Sequence, residues 1–323
     1  MYDLIGDIHG HADELVELLE ALGYRNSQGV YRHPERQVIF LGDFIDRGPK
    51  IRDVLEIVRP MIEEGKALAV MGNHELNALA FHTAVPKCPA TFLRKRDNKN
   101  IRQHAQTILQ LSNKELVKAL EWFRTLPLWL DLDGLRVVHA CWDERAMKLI
   151  AHALQGRRRI TNTFLQSACR RGNALFDAVE IVLKGKEAKL PEGVSFFDKD
   201  GHERHHTRVR WFEAPEGQTY RTYALTDKID SDRKLEKSLI KKAAPYLTTA
   251  KPVFVGHYWL SAKRPKVLAD NVACVDYSVA KGGFLCAYRW DGEQKLKNEN
   301  FVWIKLETED RCDPEDQAIL HFH

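Results

Sequence analysis

The chain has 323 residues, and 49 Lys+Arg against 45 Asp+Glu leave a formal charge of +4. Hydrophobic residues make up 44% and charged residues 29%, the balance of a globular protein able to bury a large core without staples. Disordered, collagen-like and coiled-coil classes are excluded, and a pI of 8.6 lies below the value of about 9 that marks dedicated nucleic-acid binders.

In chain order, a unit of short apolar strand, polar turn and amphipathic helix recurs. Leu4-Ile5 runs into Gly6-Asp7-Ile8-His9-Gly10, and a helix with Leu15, Leu18, Leu19 and Leu22 on one face stops at Gly23. Val38-Ile39-Phe40-Leu41 runs into Gly42-Asp43-Phe44-Ile45-Asp46-Arg47-Gly48-Pro49, followed by a helix carrying Ile51, Val54, Leu55, Val58 and Ile62. Ala67–Met71 leads to Gly72-Asn73-His74-Glu75, which opens a third helix. Leu128–Leu132 and Leu135–Val138 flank Asp133-Gly134, a hairpin signal that ends at His139. Residues 141 to 185 read as helical, and 186–250 as polar loops with short strands such as Arg208–Phe212. Strand patterns return at Val253–Val255, Val272–Val275 and Phe284–Tyr288. The alternation predicts an α/β protein whose polar turns gather at the strand ends. One domain is expected over 1–323, with a core of 1–83, 126–140 and 251–308 and insertions at 84–125 and 141–250 that form a wall or lid.

The longest apolar runs fall far short of the roughly 20 residues that span a bilayer, so no membrane association is expected. The first residues show no basic segment followed by an apolar one, so no cleaved signal is expected. Cys88, Cys141, Cys169, Cys274, Cys286 and Cys312 are scattered without a C-x-x-C spacing, which suits reduced thiols in a cytoplasm. Residues 84–104 hold six Lys/Arg against one Asp, and 156–172 hold five Arg and no acid. These stretches are solvated surface or a rim that attracts an anionic substrate.

Asp7 and His9 share one turn, so both side chains reach a single ion from one strand end. Asp43 follows the second strand, Asn73 the third, His139 the hairpin, and His257 follows Val253-Phe254-Val255-Gly256. These are oxygen and imidazole donors with no thiolate, a set that suits Mn, Fe or Zn. A carboxylate among neutral imidazoles in a dry pocket calls for a cation. Taken singly, an Asp after a strand is a turn former and Asn73 a helix cap. Their recurrence at successive strand ends points to a metal centre.

The motifs Gly6-Asp7-Ile8-His9-Gly10, Gly42-Asp43-Phe44-Ile45-Asp46-Arg47-Gly48 and Gly72-Asn73-His74-Glu75, with His139 and Gly256-His257, resemble those of the calcineurin-like metallophosphoesterases. The nearest branch is that of the phosphoprotein phosphatases, which includes symmetrical diadenosine tetraphosphatases and bacterial Ser/Thr phosphatases. The resemblance implies a two-sheet αββα sandwich and two divalent ions, Mn foremost with Fe or Zn as options. Asp7, His9 and Asp43 would hold one ion, and Asp43, Asn73, His139 and His257 the other, with a water or hydroxide bridging them. His74 would be the general acid, Asp46 its partner, and Arg47 and Asn73 would contact the phosphoryl group. Glu75 reads as a supporting carboxylate.

Two departures stand out. His139 is followed by Ala140-Cys141-Trp142 where the family has glycine, and Cys141 reads as a buried apolar residue rather than a ligand. The family's second phosphate-binding arginine does not align within 140–250; Arg208 and Arg210 are candidates because period two puts them on one strand face. His202, His205 and His206 read as a solvated loop. The expected function is hydrolysis of a phosphomonoester by in-line attack. Alternatives are a dinucleoside polyphosphate hydrolase, a nucleic-acid-end phosphatase or phosphodiesterase, and a catalytically silent binding scaffold. The expected partner is a phosphorylated small molecule, nucleotide, phosphoprotein or nucleic-acid end, with no obligate protein partner.

Overall fold

The computed structural model describes residues 1–198 and 201–305, apart from the side chain of Lys242. Cys312 and residues 306–308 of the expected core lie outside the described residues.

Short apolar runs build two sheets. In the first, Tyr2–Ile5 pairs in parallel with Gln37–Phe40, which pairs in parallel with Ala67–Ala69. Tyr2–Ile5 also meets the antiparallel strand Phe284–Trp290, which pairs in turn with Asp276–Tyr277 and Phe301–Lys305. In the second, Val253–Val255 lies parallel between Val272–Cys274 and Arg136–Val138. Arg136–Val138 closes the expected hairpin with Trp129–Asp131.

Period-two alternation sorts the side chains between two faces. Leu4, Ile39, Cys286 and Tyr288 of the first sheet and Val137, Phe254 and Ala273 of the second form one cluster between the sheets. Their neighbours Ile5, Val38 and Phe40, and Val138, Val253 and Val255, join a larger cluster with the helices. There they meet Leu15 and Leu18 of α1 (Ala12–Ala21) and Val54 and Val58 of α2 (Ile51–Glu63). The outer face of the second sheet is covered from the 141–250 segment, where α6 (Glu144–Leu154) contributes Ile150 and the helix Ala174–Lys184 contributes Val182. Each such buried side chain stabilises the fold by roughly 1.5–3 kcal/mol relative to exposure. The architecture is the expected αββα sandwich.

Three further helices matter for the site: α3 (Asn73–His82), α4 (Asn98–Gln110) and α5 (Asn113–Phe123). A third cluster, including Ala188, Leu190, Val209, Tyr220 and Ile229, gives residues 187–240 a small core of their own. Its strand His206–Arg208 stops earlier than the expected Arg208–Phe212. Trp211 turns inward there: its backbone N–H donates to Val209 O at 2.8 Å and its indole donates to the Tyr258 hydroxyl at 3.0 Å. Arg210 therefore leaves the strand and does not share a strand face with Arg208.

Candidate metal centre

Parallel register sets the site. Ile5 is level with Phe40 and Phe40 with Ala69, so the turns holding Asp7, Asp43 and Asn73 leave one edge of the first sheet together. Val137 is level with Phe254 in the second sheet, and Gly256 N donates to His139 O at 2.8 Å. His139 and His257 thereby face the first-sheet turns.

Asp43 lies at the middle. Its Oδ2 is 3.6 Å from His9 Nε2, 3.4 Å from His139 Nε2 and 4.0 Å from His74 Nε2. His9 Nδ1 is 2.8 Å from Ile45 O and His139 Nδ1 is 2.6 Å from Leu41 O. A ring that donates from Nδ1 presents an unprotonated Nε2, the form a metal ligand requires. The Asn73 side-chain oxygen is 3.2 Å from His139 Nε2 and 2.6 Å from His257 Nδ1. Two groups of donors result, His9 with Asp43 and His74, and Asp43 with His139 and His257, each with ligand atoms within 4.8 Å of one another. Asp43 belongs to both. The first group contains His74 where the resemblance places Asp7, whose Oδ2 accepts from His257 N at 3.0 Å.

The donors fit a cation on two further observations. Asp7 Oδ1 and His9 Nε2 are buried without a hydrogen-bond partner, a cost of about 1–3 kcal/mol each unless something accepts their lone pairs. Glycine leaves room beside the carboxylates: a Cβ on Gly256 would overlap Asp7 Oδ1, and one on Gly72 would overlap Asp43 Oδ1.

Electrostatics point the same way. Burial raises Asp7 well above the carboxylate range, and Asp276 and Asp43 add to the rise. Burial and Asp43 lift Glu75 to about 7. Burial lowers His9 to about 3, helped by His74, and lowers His257, helped by the charge of Arg208. Burial would also raise Asp43, but His139 and His74 pull it well below its ordinary value. Burial would lower His139, but Asp43 in turn raises it, so the centre combines crowded carboxylates with two imidazoles, His9 and His257, held toward the neutral, metal-binding form.

The turns are tightly determined. Of the ten non-glycine residues with positive φ among the described residues, six belong here: His9, Asp43, Asp46, Arg47, His257 and Trp259. Left-handed backbone persists where surrounding bonds over-determine it. Glu75 supplies three such bonds, accepting from Asp43 N at 2.8 Å, Phe44 N at 2.9 Å and Gly72 N at 3.0 Å.

Beside these donors, His74 Nδ1 lies 2.6 Å from Asp46 Oδ2 and His74 Nε2 3.2 Å from Gln103 Nε2. The Arg47 guanidinium stacks 4.0 Å from the centroid of the Trp259 ring, and Trp259 N donates to Asp276 Oδ2 at 2.6 Å. Arg208 is paired with Glu187 and lies near enough for its charge to depress His257. Arg210 bonds Glu213 at 3.1 Å instead. His202, His205 and His206 are exposed, and Cys141 is fully buried. The basic stretch 84–104 is partly spent internally, since Arg94 donates to Asn77 and Gln103. Gln103, His104, Thr107, Trp259 and Asp276 are site neighbours that sequence reasoning missed. Gln103, His104 and Thr107 stand on a helix away from any strand end, whereas Asp276 directly follows the Val272–Val275 run and Trp259 lies two residues past His257, so the strand-end signal that found the others reached these two as well.

Residues 2–157 match the family described as calcineurin-like phosphoesterase. The chain carries a calcineurin-like phosphoesterase domain. Among similar curated proteins, the bis(5'-nucleosyl)-tetraphosphatase PrpE [asymmetrical] of Halalkalibacterium halodurans is 46% identical over 74 residues, 23% of this chain and 30% of that one. The protein of the same name from Oceanobacillus iheyensis is 31% identical over 148 residues, 43% of this chain and 54% of that one. The chain thus spans about half or less of the length of these relatives. Their names carry the asymmetrical label, whereas the sequence resemblance included symmetrical enzymes. Among solved structures, a cold-active protein-tyrosine phosphatase of a psychrophilic Shewanella aligns over 89% of this chain and 74% of its own, at 17% identity and a TM-score of 0.48. A Saccharomyces cerevisiae protein serine/threonine phosphatase aligns over 97% and 81%, at 15% identity and a TM-score of 0.47. At these scores neither likeness bears on fold or activity. The calcineurin-like domain implies divalent metal ions, and among the described residues no helix is long and apolar enough to cross a membrane.

Proposed function

We propose that the chain is a metal-dependent phosphoesterase that hydrolyses a phosphomonoester. The observation that carries the reading is Asp43, shared by two groups of close donors and placed 4.0 Å from His74 Nε2. Asp7, His9 and Asp43 would hold one divalent ion, and Asp43, Asn73, His139 and His257 a second, with Mn favoured and Fe or Zn compatible with the donor set. When bound, such a pair supplies Lewis acidity that makes water nucleophilic near neutral pH and offsets charge on the phosphoryl oxygens.

The protein's own groups do the rest. Asp46 fixes the His74 ring through Nδ1, which leaves Nε2 to give a proton to the departing oxygen. Arg47, held flat by Trp259, offers a planar fork to phosphoryl oxygens. Asn73 would contact the same group. Both arginines are paired, Arg208 with Glu187 and Arg210 with Glu213, and Arg208 is the better second arginine because its charge is felt at His257. The reading treats the chain as one domain with insertions at 84–125 and 141–250. It places the protein in a cytoplasm, in keeping with the free Cys88, Cys141, Cys169, Cys274 and Cys286.

A second reading, a dinucleoside polyphosphate hydrolase, is favoured by the names of the curated relatives. The two alignments cover 23% and 43% of this chain, too little to span both insertions, where substrate choice would reside. Side-by-side turnover of phenyl phosphate, diadenosine tetraphosphate, a phosphopeptide and a 3′-phosphorylated oligonucleotide tests both. Turnover of diadenosine tetraphosphate alone would replace the first reading with the second. Absence of hydrolysis with Mn²⁺, Fe²⁺ or Zn²⁺ would leave a binding scaffold.

A further inference from the structure

Helix α4 lies in the 84–125 segment, outside every motif of the metal turns, yet one of its faces is devoted to the loop that carries Asp46 and Arg47. Gln103, His104, Thr107 and Gln110 fall on that face at helical spacing. Gln110 Nε2 donates to Gly48 O at 2.9 Å, and its Oε1 accepts from Ile51 N at 2.6 Å. Thr107 Oγ1 accepts from Asp46 N at 3.0 Å and donates to Asp46 Oδ1 at 2.5 Å. His104 Nδ1 lies 2.7 Å from the same Oδ1, and its Nε2 is 3.1 Å from His82 Nε2. His104, Thr107 and Asp46 are all buried. The Asp46 carboxylate is thus divided: Oδ2 belongs to His74, while Oδ1 is claimed by a second histidine and a hydroxyl.

A carboxylate on a short side chain rotates about its last bond unless both oxygens are held. Here Asp46 also sits at φ +68, a backbone setting the Thr107 hydroxyl helps to fix. We propose that His104 is a positioning residue: it locks Oδ1 of Asp46 so that Oδ2 holds the His74 ring with Nε2 turned toward the leaving oxygen. The inference rests on the phosphoesterase reading with His74 as proton donor. A histidine that merely satisfied a buried carboxylate would affect stability, but not one class of substrate more than another.

Leaving-group dependence separates the two roles, because a proton donor matters for a basic leaving oxygen and little for a stable phenolate. The experiment compares the full chain loaded with Mn²⁺ as wild type, His104→Phe, His104→Asn and Thr107→Val. Substrates are phenyl phosphate, whose phenol has a pKa of about 10, and 2,4-dinitrophenyl phosphate. Metal content and thermal melting are recorded for each protein. His104→Phe is expected to lower kcat on phenyl phosphate by about 10- to 100-fold with KM little changed, and to leave the dinitrophenyl ester within about threefold. His104→Asn, whose amide can donate to Oδ1, is expected to recover most of the loss. Thr107→Val is expected to show the same substrate selectivity at smaller amplitude, and it carries the comparison if the phenylalanine variant does not fold. Equal losses on both esters, or unchanged turnover of phenyl phosphate by a folded and metal-loaded His104→Phe, would overturn the positioning role. A wild type inactive on both esters would overturn the phosphoesterase reading itself.

Discussion

Nδ1 of His257 lies 2.6 Å from the side-chain oxygen of Asn73, although 184 positions separate them in the chain. Asn73 opens α3 at the edge of the first sheet, and His257 follows a strand of the second. The donor set exists only where the two sheets meet, so it tests the sandwich and the metal proposal together.

Metal should bind and stabilise even without substrate. A ligand that binds only the folded state adds about 2.7 kcal/mol at a hundredfold excess over Kd. Denaturant titrations with and without Mn²⁺ should show that increase in the parent and lose it in Asp43→Asn, whose carboxylate stands in both donor groups. Activity should fall roughly 100-fold or more in the same variant. An Asp43→Asn protein that still takes up two equivalents of metal would remove Asp43 from the shared position.

Glu75 should prove structural. Replacing it with Ala strands the backbone N–H groups of Asp43, Phe44 and Gly72 in a buried setting. Each unmet donor costs about 1–3 kcal/mol, so a loss of roughly 3 kcal/mol or more is expected in urea titrations. A loss under about 1 kcal/mol would mean that water or a rearranged turn satisfies those groups.

The stack of Arg47 on Trp259 should report on substrate affinity. A cation–π contact of about 0.5–2 kcal/mol pre-orders the guanidinium. Trp259→Leu should therefore raise KM for a phosphomonoester by about three- to tenfold, with a smaller effect on kcat. An unchanged KM would show that Arg47 is held without the indole.

One prediction concerns the second insertion. Asp143 caps α6 by accepting from Ala146 N at 2.8 Å and pairs with Lys186 at 2.7 Å. Burial alone would raise its pKa, but the Lys186 and backbone bonds bring it below the ordinary 3.8. Its contribution is therefore complete above that value and fades as pH falls through the lower folded-state pKa. Asp143→Ala should cost about 1–2 kcal/mol at neutral pH, with the two stability curves converging in acid. Parallel curves down to the acid limb would remove the ion pair from the account.

Much of this was legible in the chain itself. Apolar strands ending in Gly6-Asp7, Gly42-Asp43 and Gly72-Asn73 announce donors at strand ends, because parallel neighbours in register end at one level. The hairpin before His139 and the run before His257 extend the same logic to a second sheet. The Asp133-Gly134 turn and the helical stretch from 141 were equally visible, since turn chemistry and period are local properties. The 186–250 interval was not, because its short strands and small core depend on contacts that leave no period. Arg208 and Arg210 looked equivalent by spacing, and only the inward turn of Trp211 separates them.

The sequence by itself determined the donor chemistry: oxygen and imidazole groups, six of them, each fixed to the end of an apolar run by covalent neighbours. Tertiary structure alone decided what surrounds them. His104 reaches Asp46 across 58 positions and Thr107 across 61, from a helix whose sequence shows only an amphipathic surface. Such contacts are set by how the inserted helix docks on the loop, and docking is a property of packed faces that no local pattern encodes.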